Sequence, residues 1–424
     1  MNFQNTRAFA QSLDAQDQLS KYRSEFEFPT INGKKTIYFT GNSLGLMPKR
    51  AKKYVDEVMT DWANLGVEGH FYAEKPWWDY HERFSEPLAA VVGALPCEVS
   101  VMNTLTVNIH LLMVSFYNPT AKRFKIICEE KAFPSDQYVL QTQVKFHGFD
   151  PDDAIVEVKR RPGEHNLRNE DIIAKINEVG EELALVLIGG INYYTGQVLD
   201  MKAITEAGHK VGANVGWDLA HAAGNIEMKL HDWDVDFACW CSYKYMNAGP
   251  GSVSGFFVHE KHHSNKSLNR FGGWYGHNKE RRFLMEPEFD PNQGALGWQS
   301  SCTNILAMAP YLASVHMFEE IGMTALSQKR NQITSYLEFI IGEIARETGS
   351  NLEIITPSNP DERGSQLSVI FHGQGKSLFE FLMKEGVIVD WREPAVIRFA
   401  PVPLYSSFEE MYDFGQILKR GLQK

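Results

Sequence analysis

The chain predicts a large α/β unit with a sheet buried on both faces, followed by a smaller C-terminal α+β unit. Three observations carry this. β-Rich apolar runs without polar alternation recur between residues 125 and 258, helical patterns separate several of them, and helices beside a few strands follow Asn304. A strand with no polar face needs cover on both sides, and intervening helices supply it.

Taken in order, residues 1–60 predict an N-terminal arm: a polar helix, then Ile37-Tyr38-Phe39 and the turn-rich Gly41-Asn42-Ser43-Leu44-Gly45. The large domain is expected over 61–305. Its strands are predicted at Lys125–Cys128, Leu183–Ile188, Asn214–Trp217, Val235–Trp240 and Gly255–Val258, with helices at Asn103–Tyr117 and Met201–Val211. After Asn304 a helical stretch runs through Arg346, its apolar positions recurring at about 3.6 residues. Strands at Gln366–Phe371, Val387–Asp390 and Val396–Phe399 and a helix at Ser377–Glu385 complete the small domain, 306–424.

A length of 424 residues accommodates two or three core-forming units, and 43% apolar with 22% charged residues is ordinary globular composition. A net charge of −11 without a basic block argues against a nucleic-acid partner. No apolar stretch approaches the ~20 residues of a membrane span. The acidic, glutamine-containing start lacks the apolar core of a secretory signal. The five cysteines show no CxxC spacing, so they are read as buried thiols of a cytoplasmic protein, without zinc or disulfide. The histidines show no metal-ligand spacing, no metal is expected, and Lys261-His262-His263 is read as exposed surface.

The chemistry concentrates around Lys244. Ser242-Tyr243-Lys244-Tyr245 and Asp218-Leu219-Ala220-His221 each follow a strand-like run, with Lys244 lying 26 residues after Asp218. A lysine facing a carboxylate and a phenol at a sheet edge suits pyridoxal phosphate: the lysine forms a Schiff base, and the carboxylate keeps the ring nitrogen protonated. Asn103-Thr104-Leu105-Thr106 opens an apolar helix whose free N–H groups suit a phosphate, although Asn103 or Thr104 also reads as a simple N-cap. Phe133-Pro134-Ser135-Asp136 is expected in a loop, where an aromatic can stack on the pyridine ring. Gly249-Pro250-Gly251 misses the dinucleotide fingerprint, and Gly375-Lys376-Ser377 lacks the first P-loop glycine, leaving Ser377 as an expected helix cap.

These segments together resemble kynureninase. The resemblance rests on Asp218-Leu-Ala-His221, Cys239-Trp-Cys-Ser-Tyr-Lys244-Tyr-Met-Asn-Ala-Gly249, Ala132-Phe-Pro-Ser-Asp136, Asn42-Ser-Leu-Gly-Leu46, Met102-Asn-Thr-Leu-Thr-Val-Asn108, Gly273-Trp-Tyr-Gly-His277 and Arg398-Phe-Ala-Pro-Val-Pro-Leu-Tyr405, in order from about residue 40 to 415. It implies the fold-type-I, aspartate-aminotransferase-like architecture of pyridoxal phosphate enzymes, with a mixed, mostly parallel sheet. It also implies a homodimer with active sites at the interface. The implied reaction is hydrolysis of L-kynurenine, or its 3-hydroxy derivative, to anthranilate or 3-hydroxyanthranilate and L-alanine, within tryptophan catabolism and NAD biosynthesis.

By the same resemblance Lys244 carries the cofactor and moves the substrate Cα proton, Asp218 pairs with the pyridine nitrogen, and Tyr243 moves protons. Phe133 stacks on the ring, with Ser135 and Asp136 near its polar edge. Leu105, Thr106, Tyr243, Trp274 and Asn304 contact the cofactor, and His221 lies near it. Arg398 clamps the substrate carboxylate, while His70, Asn304 and Ser43 fall on the substrate side. One departure stands out: Gly189 occupies a position where some relatives place a serine, losing a hydrogen bond of about 0.5–1.5 kcal/mol. Among relatives by fold, a cysteine desulfurase needs a late mobile cysteine, and none follows Cys302.

Overall fold

A computed structural model describes residues 2–424. Its centre is a seven-stranded sheet: β1 (Val99–Met102), β2 (Lys125–Glu129), β3 (Ile155–Val158), β4 (Leu183–Gly189), β5 (Asn214–Asp218), β6 (Phe237–Trp240) and β7 (Ser254–Val258). They lie side by side in the order β1-β7-β6-β5-β4-β2-β3, and β7 alone runs against its neighbours. The first six residues of β4 are all buried, because apolar layers cover both faces of the sheet. The sheet is therefore mixed and mostly parallel, as the resemblance implied.

Two strands of this sheet escaped the sequence pattern. Val99–Met102 is too short for a periodic signal and carries Ser100, which is buried because Gln299 Nε2 donates to it at 2.9 Å. Ile155–Val158 is an edge strand interrupted by exposed Glu157.

The helices that matter for the site are α1 (Arg7–Gln16), α2 (Lys49–Leu65), α3 (Leu105–Phe116), α4 (Pro134–Phe146), α5 (Ile305–Ile321), α6 (Met323–Thr348) and α7 (Phe408–Leu422). The helical stretch after Asn304 is two helices, broken at Gly322, whose φ of 78° is left-handed. Helix α5 packs into the large core through Met308, Tyr311, Leu312 and Phe318. The second core thus gathers only from α6 onward, later than the boundary expected at 306. It also takes in Ala10 and Leu13 of α1 and Phe39 from the N-terminal arm. Its sheet consists of β8 (Leu352–Ile354), β9 (Leu367–Phe371), β10 (Asp390–Arg392) and β11 (Val396–Phe399), in the order β8-β9-β11-β10. The run expected as one strand at Val387–Asp390 divides: Val387–Ile388 pairs with Ile37–Tyr38 of the arm, and Asp390 opens β10.

The arm links the two cores. Phe39 N–H donates to Ile388 O at 2.9 Å, Ala400 N–H donates to Phe39 O at 2.8 Å, and a few residues on Gly45 N–H donates to Tyr243 O at 2.8 Å.

Three smaller expectations change. Cys128, Cys239 and Cys241 are buried, but Cys97 and Cys302 are exposed. His262 is no free surface group: its Nε2 lies 2.8 Å from Oδ1 of buried Asp236. Ser377 lies inside the helix Gly375–Lys384 and donates to Gln374 O at 2.8 Å, so Gln374 holds the cap position.

Candidate active site

Strands β2, β4 and β5 are parallel neighbours, so Glu129, Gly189 and Asp218 end side by side at the carboxyl edge of the sheet. Ligands in open α/β sheets bind beyond that edge. Here a cavity of about 450 Å³ opens, lined by Ser43, Leu105, Thr106, Phe133, Ser135 and Asp136, and by Asp218, His221, Tyr243, Lys244 and Arg398. The motifs at 43, 105, 133, 218, 244 and 398 thus converge from both cores.

Lys244 Nζ donates to His221 Nε2 at 3.1 Å. Burial first, then the charges of Lys244 and Arg398, hold the His221 imidazole well below its usual pKa. The ring is therefore neutral and its hydrogen sits on Nδ1, a buried atom without a partner among the described residues. The Lys244 ammonium also lies 5.9 Å from the centroid of the Phe133 ring. Phe133 itself occupies the N-cap of α4, with Pro134 opening the helix. The segment expected as a loop is thus a helix start, because proline's fixed φ suits a first helical position. Ser135 and Asp136 lie in that first turn.

The opposite wall is the N-terminus of α3. Its N-cap, Thr104, makes no side-chain capping bond, so the first N–H groups, at Leu105 and Thr106, have no side-chain acceptor there.

Three carboxyl groups meet at the sheet edge. Asp218 Oδ1 accepts from Ala220 N–H at 2.7 Å, and the Asp136 carboxyl lies close enough to Asp218 to feel its charge. Burial, and then Asp218, push the Asp136 carboxyl well above the carboxylate range, so this pair holds a proton. Sequence reasoning missed Glu129, one residue past the predicted strand end. It is 4% exposed, accepts weakly from Gly189 N–H at 3.3 Å, and burial pushes its pKa up to about 7. A Cβ at residue 189 would come within 3.2 Å of Glu129 Oε1, so the space beside Gly189 is taken by that carboxyl.

Tyr243 Oη accepts from Cys241 Sγ at 3.3 Å. Burial, then Cys241, raise the phenol's pKa and keep it protonated. Arg398 is 1% exposed; its Nε and Nη2 donate to Asp390 at 3.2 and 2.7 Å, and Nη1 donates to Tyr193 O at 2.7 Å. Arg392, also unremarked in the sequence, lines the cavity beside it.

Three predicted residues stand apart. Trp274 and His70 line a second, aromatic cavity of about 300 Å³ with Val67, Phe71, Trp78 and Phe283. Asn304 caps α5, accepting from Ala307 N–H at 3.4 Å. Within one chain all three sit on surfaces outside the Lys244 cavity.

Elsewhere, Glu98, His231 and His259 bring three metal-ligand atoms together. The two rings stack at 4.9 Å and 14°, so their in-plane lone pairs run parallel and do not converge on one ion. Glu98 instead accepts from Glu260 N–H and Leu95 N–H, both at 2.8 Å.

Comparison with known proteins adds to this geometry. Residues 326–418 match the family model described as the kynureninase C-terminal domain. Kynureninase of Flavobacterium johnsoniae is 72% identical over 422 residues, covering 100% of this chain and 99% of the relative. That of Nematostella vectensis is 45% identical, covering 99% and 94%. Among solved structures, a C-DES mutant with glycine covalently linked to its PLP cofactor superposes with a TM-score of 0.76 at 15% identity, covering 91% of this chain and 96% of the other. The cysteine desulfurase of Thermococcus onnurineus NA1 gives 0.73 at 16%, covering 91% and 94%. Those two likenesses establish a shared fold.

Proposed function

This chain belongs to the kynureninase family, and from that premise we propose that it hydrolyses L-kynurenine and its 3-hydroxy derivative, cleaving Cβ–Cγ to give the anthranilate and L-alanine. The observation that carries the proposal is one cavity holding Lys244, the Asp218–Asp136 pair and Arg398. Its residues also fit pyridoxal phosphate: the lysine, the uncapped helix N-terminus and the orphaned His221 Nδ1 are each groups that this cofactor's aldehyde, phosphate and polar ring edge complement.

When bound through Lys244, the cofactor supplies an electron sink for charge developing at the substrate Cα and Cβ. Asp218 would hold the proton on its ring nitrogen, the Leu105 and Thr106 N–H groups its phosphate, and Phe133 one ring face. Arg398 grips the substrate carboxylate. Lys244 Nζ, once released, takes the Cα proton as a base, and neutral His221 beside it accepts a hydrogen bond in either state of the amine. Tyr243, protonated at neutral pH, donates to the carbon leaving as alanine. One water is consumed: its oxygen ends in the anthranilate carboxylate.

The active unit is proposed to be a homodimer in which a second copy brings Trp274, Asn304 and His70 to this cavity. The aromatic cavity that holds two of them supports it, since Val67, Phe71 and Phe283 stand exposed around it. His70 and Asn304 can each hydrogen-bond a substrate phenol, which extends the proposal to the 3-hydroxy compound. We place the enzyme in the cytoplasm, in the kynurenine pathway of tryptophan catabolism that leads to NAD biosynthesis; the five free thiols fit a reducing compartment. Among the described residues, no helix is long and apolar enough to cross a membrane.

The test is direct. Protein loaded with pyridoxal phosphate should release fluorescent anthranilate from L-kynurenine with no keto acid added, and Lys244→Ala should lose both turnover and the visible cofactor absorbance. Full turnover by that variant would refute the assignment, and a strict need for a keto acid would mark a transaminase.

A further inference from the structure

Strands β10 and β11 are antiparallel with Asp390 opposite Arg398, and Asp390 and Arg392 project from the same face of β10. One carboxylate therefore serves two guanidinium groups. Arg398 places Nε and Nη2 on it, and Arg392 Nη2 donates to Asp390 Oδ2 at 3.2 Å while its Nε lies 3.0 Å from Oδ1. Among the described residues, Asp390 is the sole carboxylate in ion-pair contact with either arginine. Two cations against one anion leave a net positive charge at the back of the cavity.

The donor count sharpens this. Of the five N–H groups a guanidinium carries, Arg398 commits one to each of Asp390 Oδ1, Asp390 Oδ2 and Tyr193 O. The remaining two sit on separate terminal nitrogens, one on Nη1 and one on Nη2, and are left for a ligand's acceptors. Among the described residues Arg392 Nη1 has no acceptor, and this side chain is 36% exposed where it lines the cavity.

We propose that Arg392 is a second carboxylate-binding residue of this site, and that Asp390 is the positioning residue holding Arg392 and Arg398 side by side, so that the site selects ligands with a free carboxylate. The proposal rests on the kynurenine assignment only for the aryl-ketone end of the ligand.

The probes are 3-benzoylpropionate, which keeps the aryl ketone and carboxylate but has no amine, and its neutral methyl ester. Calorimetric titration of the cofactor-loaded enzyme should show the acid binding at least about tenfold tighter than the ester, a difference one charge-assisted contact supplies. Arg392→Gln and Asp390→Asn should each cut that ratio about tenfold and leave ester binding unchanged, and Arg392→Lys should restore most of it. In turnover of L-kynurenine, Arg392→Gln should raise KM about tenfold with kcat within twofold, as loss of uniform binding requires. The proposal is overturned if wild-type enzyme does not distinguish acid from ester, if Arg392→Gln keeps the ratio, or if acid and ester weaken alike. Absence of kynurenine turnover alongside an intact acid-to-ester ratio would instead strike the functional assignment alone.

Discussion

Replacing Glu129 with glutamine should make the cofactor-free protein more pH-tolerant. In the folded chain this carboxyl is buried, and burial, partly opposed by backbone N–H groups, pushes it up to about 7 from a usual 4.5. Its folded pKa is raised, so between those values the folded state holds a proton that the unfolded state has released. Stability then falls as pH rises, and the penalty is complete once pH passes the folded value. At ~1.4 kcal/mol per pKa unit, the shift amounts to roughly 3.5 kcal/mol in full, of which about 1 is present at pH 5 and the remaining ~2.5 accrues by pH 8. Glutamine keeps the shape and cannot ionise. Urea unfolding of both proteins at pH 5 and pH 8 should therefore show the variant gaining on the wild type by about 2.5 kcal/mol between the two conditions. Infrared spectra of the wild type should show an acid carbonyl band that fades near neutrality and is missing in the variant. A stability gap that stays constant with pH, or an acid band that survives the substitution, refutes the reasoning.

Lys244→Ala and Trp274→Ala proteins, each inactive alone, should regain about a quarter of wild-type activity when mixed and allowed to exchange, because half the dimers are mixed and each holds one intact site; no recovery refutes a shared site. Arg398→Ala should raise KM for L-kynurenine by roughly 10- to 100-fold with little change in kcat, a charged hydrogen bond being worth about 1.5–3 kcal/mol. Lys329 and Asp17 pair at 2.7 Å with both side chains 5% exposed. Lys329→Met should accordingly cost about 3–5 kcal/mol by stranding the aspartate, and adding Asp17→Asn should recover part of the lost thermal midpoint.

What could be read from the sequence follows from the range of the forces involved. Leu183–Ile188 was legible because burial on both faces forces a continuous apolar run. The Lys244 cavity was legible because its groups sit at strand ends and helix starts within short, chemically distinctive segments. Phe133 was placed in a loop because turn and helix-start chemistry share proline and serine. Glu129 and Arg392 escaped because their importance is tertiary: one is a carboxyl enclosed beside Gly189, the other a guanidinium sharing Asp390 with Arg398. Trp274, Asn304 and His70 could be named only through family resemblance, since within one chain they lie away from Lys244.

The arm segment from Ile37 to Gly45 is a mechanical link. It is stitched to the small core at Ile388 and Ala400 and to the backbone of Tyr243, next to the reactive lysine, within nine residues. So short a tether has almost no slack. Any rocking of the small core that carries Arg398 toward a bound carboxylate must also pull on the chain that seats Lys244, making grip and amine orientation one motion. Lengthening the tether would decouple them while leaving every side chain of the cavity in place.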